Sequence, residues 1–279
     1  MTLGPADVRR LLDDHGLRPR KALGQHFVAD PNTVRRIVRL AEIGPSSHVV
    51  EIGAGLGSLT LALACTGAEV VAVEVDRHLV PVLAAVVSGR DNVRVLHDDG
   101  LSLDWGVLLH GARTWALVAN LPYNIATTLV LRVLEEAPAV RSLLVMVQRE
   151  VGERLAAVPG NRVYGAVSVK VRYWATATIA GVVPPTVFIP RPSVDSVLVR
   201  IVRRAGPAVP RRVTSYERLC TVVNAGFGQR RKMLRRSLAG VVAADAFGAA
   251  GVLPTARAEE IGVEQWGALA GWTPDVERS

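Results

Sequence analysis

Cysteine is nearly absent from this chain: Cys65 and Cys220 are the only two in 279 residues, far apart and outside any Cys-x-x-Cys or Cys/His cluster. Neither a disulfide framework nor a thiolate zinc site is expected, and both read as small core hydrophobes. No run approaches the roughly 20 uninterrupted apolar residues of a membrane helix. The opening MTLGPADVRRLLDDHG lacks an apolar stretch of signal-peptide length, and its acids argue against a transit peptide. A reducing cytoplasm is the expected setting. Low-complexity tracts are missing too. With 49% hydrophobic and 21% charged residues the composition is that of a folded soluble protein, long enough for one large and one small domain.

Acidic residues are the minority charge, 25 against 33 Lys and Arg, for a net +8. An excess of that size suggests a polyanionic partner, and the position of the cations decides whether the suggestion has force.

Asp30-Pro31 reads as an N-cap followed by proline at the first helical position, with Val34, Ile37, Val38 and Ala41 at helical spacing behind it. From residue 48 short apolar runs alternate with helical stretches: HVVEIG, LTLALA, EVVAVEVD, HLVPVLAAV, VRVLHDD, WALVANLP, a helix from Ile125 to Glu136, then LLVMVQ. TATIAGVV and SVLVRIV close the series. Such alternation predicts βαβ units and a parallel sheet covered on both faces. After Arg204 a proline-rich basic segment leads into sequence that reads helical. The expected division is an α/β catalytic domain over 1–205, with an N-terminal helical extension over 1–46, and a small helical domain over 206–279.

Glu51-Ile52-Gly53-Ala54-Gly55-Leu56-Gly57 stands where the first strand turns into a helix. Glycines there let the backbone bend sharply and approach a ligand, although they can also serve only the packing of helix on strand. The dinucleotide pattern GxGxxG is missing, so the ligand need not carry a pyrophosphate. Glu74 ends the next strand about 20 residues on, where a carboxylate can accept from both ribose hydroxyls; Asp76 is its rival. Asp98-Asp99 follows the third strand, where Asp99 can accept from an adenine amino group or serve as a plain cap or turn residue. Taken together, these features favour S-adenosylmethionine.

Asn120-Leu121-Pro122-Tyr123 lies at the end of the fourth strand and so faces the same ligand. The N6 lone pair of adenine is delocalised into its ring, and two acceptors for the N6 hydrogens would restore its nucleophilicity. The Asn120 side-chain oxygen supplies one. The Leu121 carbonyl supplies the other, because Pro122 restricts Leu121 to extended backbone. Tyr123 can then stack on the base, and catalysis rests on proximity and in-line attack. The same tetrapeptide is also compatible with an ordinary turn. In the loop Phe188-Ile189-Pro190-Arg191-Pro192-Ser193-Val194-Asp195-Ser196, Phe188 is either a second ring over an extruded base or a hydrophobic plug.

These residues resemble the ribosomal RNA small-subunit adenine dimethyltransferase family, the KsgA type. The likeness runs over nearly the whole chain: Gly24-Gln25-His26-Phe27, EIGAGLG, NLPY, Gln148-Arg149-Glu150-Val151, Tyr164-Gly165, the FIPRPSVDS loop, FGQRRKMLRRSL from Phe227, and PTARAE from Pro254. It implies a Rossmann-like class I methyltransferase fold with a mostly parallel seven-stranded sheet and a helical C-terminal domain. It implies that His26, Val28, Gly53, Glu74, Asp99 and Asn120 hold adenosylmethionine, and that Asn120, Leu121, Tyr123 and Phe188 hold the adenine. His26 stands where the family often has Asn; both side chains hydrogen-bond a carboxylate or amine. The implied substrate is a pair of adjacent adenosines in the hairpin loop near the 3′ end of small-subunit rRNA, each dimethylated. The implied enzyme is a monomer without a metal.

Arg230, Arg231, Lys232, Arg235 and Arg236 join Arg203, Arg204, Arg211 and Arg212 in a heavily basic C-terminal third, the footprint of phosphate contact. On a helix, Met233 and Leu234 would pack inward while Arg231, Lys232 and Arg235 face out; a solvated basic face is the alternative. Rival functions are a nicotinamide-dependent dehydrogenase, an adenine methyltransferase of DNA or large-subunit rRNA, and a non-catalytic ribosome-assembly factor. Missing GxGxxG weighs against the first, the FGQRRKMLRRSL tract against the second, and the intact set of ligand residues against the third.

Overall fold

The computed structural model describes residues 2–20, 23–122 and 124–273. Its strands are β1 (Phe27–Val28), β2 (His48–Ile52), β3 (Glu69–Glu74), β4 (Val93–His97), β5 (Trp115–Asn120), β6 (Val140–Gln148), β7 (Ala175–Val183), β8 (Phe188–Ile189) and β9 (Ser196–Arg203). Among the described residues the main sheet has seven strands in the order β4-β3-β2-β5-β6-β9-β7. From β4 to β6 neighbouring strands run parallel, and β9 turns antiparallel to β6. The expected mostly parallel sheet is therefore present, each strand on one of the apolar runs. Inner strands are buried on both faces, as Val49, Val50, Ala72 and Val118 show, whereas the edge strand β4 is only half-buried.

Local sequence explains the flanking helices. The helix Pro31–Ala41 starts as expected: the Asp30 carboxylate accepts from Thr33 N–H at 2.8 Å, and Val34 and Ile37 turn inward. It stops at Glu42, in left-handed backbone at φ 56°, whose carboxylate meets both guanidinium nitrogens of Arg200 at 2.6 Å. The helix Ser58–Ala64 is wholly buried, apolar but for Ser58 and Thr60. From it Thr60 Oγ1 donates to the buried Glu51 carboxylate at 2.6 Å.

The chain forms two compact units, Met1–Gly152 with Thr178–Val202, and Glu153–Ala177 with Arg203–Ser279. The second crossing, at Val202/Arg203, lies near the boundary expected at 205/206, but the helical unit also takes Glu153–Ala177. Core formation is the reason: Tyr164, Val169 and Tyr173 are buried with Leu219, Val223 and Trp266 in one cluster. In linear sequence that excursion between β6 and β7 looks like an ordinary crossover helix. Trp266 is fully buried against Phe227, ring centroids 5.6 Å apart, and Gly226 makes room for it: a Cβ there would lie 2.4 Å from Trp266 Cη2. The expectation of core cysteines fails for Cys65, which is exposed just past the last residue of the helix Ser58–Ala64; Cys220 is half-buried against the helical core.

Two outcomes follow from this packing. Trp266→Ala should cost about 3–5 kcal/mol of the helical unit's stability in urea unfolding, the usual loss for a buried tryptophan; a loss below about 1 kcal/mol would mean that the cluster does not depend on it. Burial lifts the Glu51 carboxyl from 4.5 to about 8, against the Thr60 hydrogen bond and with help from the Glu74 charge. Folding then takes up a proton across that window, so this group's contribution to stability falls as pH rises from about 4.5 toward about 8. Glu51→Gln keeps an acceptor for Thr60 without the charge. It should melt higher than the unaltered protein near pH 8 and lose that advantage toward pH 5; an advantage equal at both would mean that Glu51 does not titrate in the window.

Candidate active site

In the order β4-β3-β2-β5 the chain winds outward from β2 through β3 to β4, then returns to lay β5 on the other side of β2. That reversal opens a crevice at the carboxyl ends of β2 and β5, the place where open α/β sheets take ligands. A cavity is found there, lined by Gly53, Gly55, Glu74, Asn120 and Pro122 from the strand ends, and by His26 and Val28 from the N-terminal segment.

The glycine loop is anchored from below. Gly53 and Ala54 N–H donate to the Val73 carbonyl at 2.9 and 3.1 Å, and Gly55 N–H donates to Glu74 Oε2 at 2.7 Å. Gly55 is at φ 58°, and a Cβ on it would stand 3.1 Å from the Phe27 ring, so only glycine fits without displacing that wall. Glu74 is 4% exposed, and its Oε1 accepts from Asp76 N–H at 2.8 Å. Burial raises its pKa against the pull of the N–H groups from Asp76 and Gly55. Each oxygen keeps lone-pair capacity toward the cavity.

Asp76, the rival to Glu74, does not line the cavity. Its Oδ2 accepts from Gln25 Nε2 at 2.9 Å, its Oδ1 from His78 N–H at 3.0 Å, and Arg20 Nη1 stands 3.6 Å away. Burial alone would raise its pKa; the Gln25 amide, the His78 N–H and the Arg20 charge outweigh it and hold the carboxyl below its ordinary value. Asp99 is exposed outside the cavity, with Oδ1 accepting from Leu101 N–H at 2.9 Å, the geometry of a turn residue.

Asn120 is oriented. Its Nδ2 donates to the His26 carbonyl at 2.9 Å, which turns Oδ1 the other way. Leu121 is fully buried, with its N–H on the Met146 carbonyl at 3.0 Å, and does not line the cavity; Tyr123 lies outside the described residues. His26 Nδ1 is 2.8 Å from the Pro190 carbonyl, and β1 pairs antiparallel with β8, so the GQHF segment is tied to the FIPRP loop. Phe188 is 3% exposed, belongs to the apolar cluster of Val34, Leu198 and Val28, and does not line the cavity.

Among the lining residues not anticipated as functional are Val8, Gln25, Glu51 and Ser58. Ser58 Oγ is buried without a hydrogen-bond partner, a costly condition that a polar ligand atom would relieve. This orphaned hydroxyl, the Glu74 carboxylate and the partly exposed Gly53 fit a nucleoside-bearing ligand. A serine that opens a helix gives no sign in sequence that its hydroxyl is unpaired, and Gln25 is joined to Asp76 across 51 positions.

The basic tract is not one helix. The helix Tyr216–Gly228 ends before it, residues 229–233 form a turn, and a short helix runs Leu234–Ser237. Leu234 is buried but Met233 is 40% exposed, because consecutive residues of a turn do not share a face. Arg231, Lys232, Arg235 and Arg236 are exposed, whereas Arg230 donates to the Arg162 carbonyl and stands 3.4 Å from Glu259.

The model of the family described as ribosomal RNA adenine dimethylase matches residues 16–274. A protein of Streptomyces griseus named ribosomal RNA small subunit methyltransferase A is 47% identical, the match covering 98% of this chain and 96% of that one. A protein of the same name from Cutibacterium acnes is 47% identical over 94% of this chain and 91% of its own length. The crystal structure of the 23S rRNA methyltransferase ErmE superposes with a TM-score of 0.70 at 27% identity, covering 88% of this chain and 98% of that one. With its cavity at the β2/β5 reversal and a family match over almost its whole length, the chain belongs to the ribosomal RNA adenine dimethylase family.

Proposed function

We propose that the protein dimethylates N6 of two adjacent adenosines in the loop of the 3′-terminal hairpin of small-subunit rRNA, using S-adenosylmethionine, and takes part in small-subunit biogenesis in the cytoplasm. The observation that carries this is the Asn120 carboxamide, held by its nitrogen on the His26 carbonyl in the same cavity as Glu74. Bound adenosylmethionine supplies a methyl made electrophilic by its sulfonium. Glu74 accepts from the ribose hydroxyls. The His26 and Val28 segment, with Gly53 and Gly55, closes around the nucleoside and the amino-acid end. Asp99 accepts from the cofactor's adenine amino group through the oxygen not held by Leu101 N–H. Asn120 Oδ1 and the Leu121 carbonyl take the two N6 hydrogens of the target adenine, Pro122 fixes that carbonyl, and Tyr123 stacks on the base. Buried Phe188 supports this wall from beneath. The reacting nitrogen becomes acidic once substituted and sheds its proton without a strong base.

In the helical unit, Arg231, Lys232, Arg235 and Arg236 contact RNA phosphates, while Arg230 braces the turn that presents them. The 47% identical relatives carry a small-subunit name, which favours that substrate over the large-subunit RNA for which the 27% identical methyltransferase is named. The protein acts as a monomer with no metal. No helix among the described residues is long and apolar enough to cross a membrane.

The test is tritium transfer from labelled adenosylmethionine to small ribosomal subunits lacking the modification, followed by nucleoside analysis. N6,N6-dimethyladenosine at two adjacent positions is expected; label only on large-subunit RNA would overturn the substrate. Asn120→Ala should lower transfer by about 100-fold or more, as removal of an oriented hydrogen-bonding group at a reacting centre does, with RNA affinity kept. Arg231→Glu with Lys232→Glu should weaken RNA binding and reduce the salt slope by about two; an unchanged slope in filter binding would move the RNA face elsewhere.

A further inference from the structure

Behind the cavity wall lies a set of contacts that the proposed chemistry does not use. Asp76 is 5% exposed, yet its carboxylate reaches back to the N-terminal segment, taking the Gln25 amide at 2.9 Å and facing Arg20 at 3.6 Å. Gln25 closes the ring, since its Oε1 accepts from Arg20 N–H at 2.8 Å and its own N–H meets the Arg20 carbonyl at 3.3 Å. Gln25, Phe27 and Leu79 line both the cavity and a second hollow on its far side, which Asp76 and His78 also border, so the clasp stands at the back of the wall.

Capping the turn at His78 would need only the Oδ1 bond. The second oxygen is spent on Gln25, and the residue after Gln25 is the one whose carbonyl holds Asn120 Nδ2 at 2.9 Å. At its other end the clasp is joined to Glu74, whose Oε1 accepts the Asp76 N–H at 2.8 Å. Asp76 thus connects the proposed ribose acceptor, through its N–H, to the proposed amine acceptor, through its carboxylate and the Gln25 segment; the carboxylate's bond is charge-assisted and costly to break because the charge is left unpaired away from water.

We infer that Asp76 and Gln25 are positioning residues for the cofactor cavity: their hydrogen bond holds the Gly24–Val28 wall, and through the His26 carbonyl the Asn120 carboxamide, in the geometry that binding and transfer use. This rests on the reading of the cavity as the adenosylmethionine site.

The experiment exchanges donor and acceptor. Gln25→Glu sets two carboxylates face to face. Adding Asp76→Asn restores the bond with its sense reversed, since the new amide keeps an oxygen for His78 N–H and turns its nitrogen to the new carboxylate. Adenosylmethionine affinity is measured by calorimetry and methyl transfer in a single turnover, beside a thermal melt without cofactor. Gln25→Glu is expected to weaken binding about tenfold or more and to slow transfer. The double variant is expected to recover to within about threefold of the unaltered protein, a coupling that loss of general stability does not produce. Should Gln25→Glu not fold, Gln25→Ala, which removes the bond without adding charge, is expected to show the same weakening. Undisturbed affinity in the single variants, or a double variant no better than the worse single, overturns the inference while leaving the cavity's role intact. An unaltered protein that binds no adenosylmethionine overturns both.

Discussion

A carboxylate buried as deeply as that of Glu74 needs donors, and it takes two from the backbone, Gly55 N–H at one oxygen and Asp76 N–H at the other. Those bonds fix the loop after β2 against the tip of β3, and most of the cavity follows from them. Held there, the glycine loop lines the cavity with Gly53, Ala54 and Gly55, of which Gly53 is the more exposed. The Phe27 ring can approach Gly55 closely because no Cβ intervenes. Each Glu74 oxygen takes one backbone N–H and keeps lone-pair capacity, the capacity that the proposed ribose hydroxyls would use.

Features that depend on one strand or one turn were legible in the sequence. All seven strands of the main sheet fall on apolar runs, and Asp30, Glu74 and Asn120 take their places because strand ends and caps are set by residues close by in the chain. What was not legible depends on partners far along the chain. Asp76 and Glu74 are indistinguishable by spacing, and only the amide of Gln25, arriving from 51 positions away, claims one of them for the wall. Phe188 reads equally well as ring or plug until β1 pairs with β8 and turns its side chain into the core. Cys65 was misplaced for the complementary reason: an apolar neighbourhood in sequence does not say that a helix ends at Ala64.

The helical unit shows the same limit at a larger scale. Its C-terminal helices were readable from their own periodicity, but Glu153–Ala177 belongs with them only because Tyr164 and Tyr173 find their burial beside Leu219 and Trp266. Contiguity in sequence favours assigning that stretch to the sheet; burial assigns it to the helices. Were the basic tract one helix, Met233 and Leu234 would both pack inward. A helix needs continuous backbone pairing, and here it is interrupted over residues 229–233, which leaves Met233 outside and Leu234 within.

That interruption bears on how an RNA is chosen. Relatives named for the small subunit and a methyltransferase named for 23S rRNA share this family's fold, so the amine chemistry of the cavity cannot by itself decide between the two RNAs. The four exposed cations are divided between a turn and a short helix, so they do not form the single stripe of a long helix. Phosphate contacts of this kind carry no base sequence; they register the protein on a backbone of matching shape. On the proposed function, selection of the target adenines divides into two physical steps: these cations recognise the course of a folded RNA backbone, and the cavity accepts an unstacked adenine.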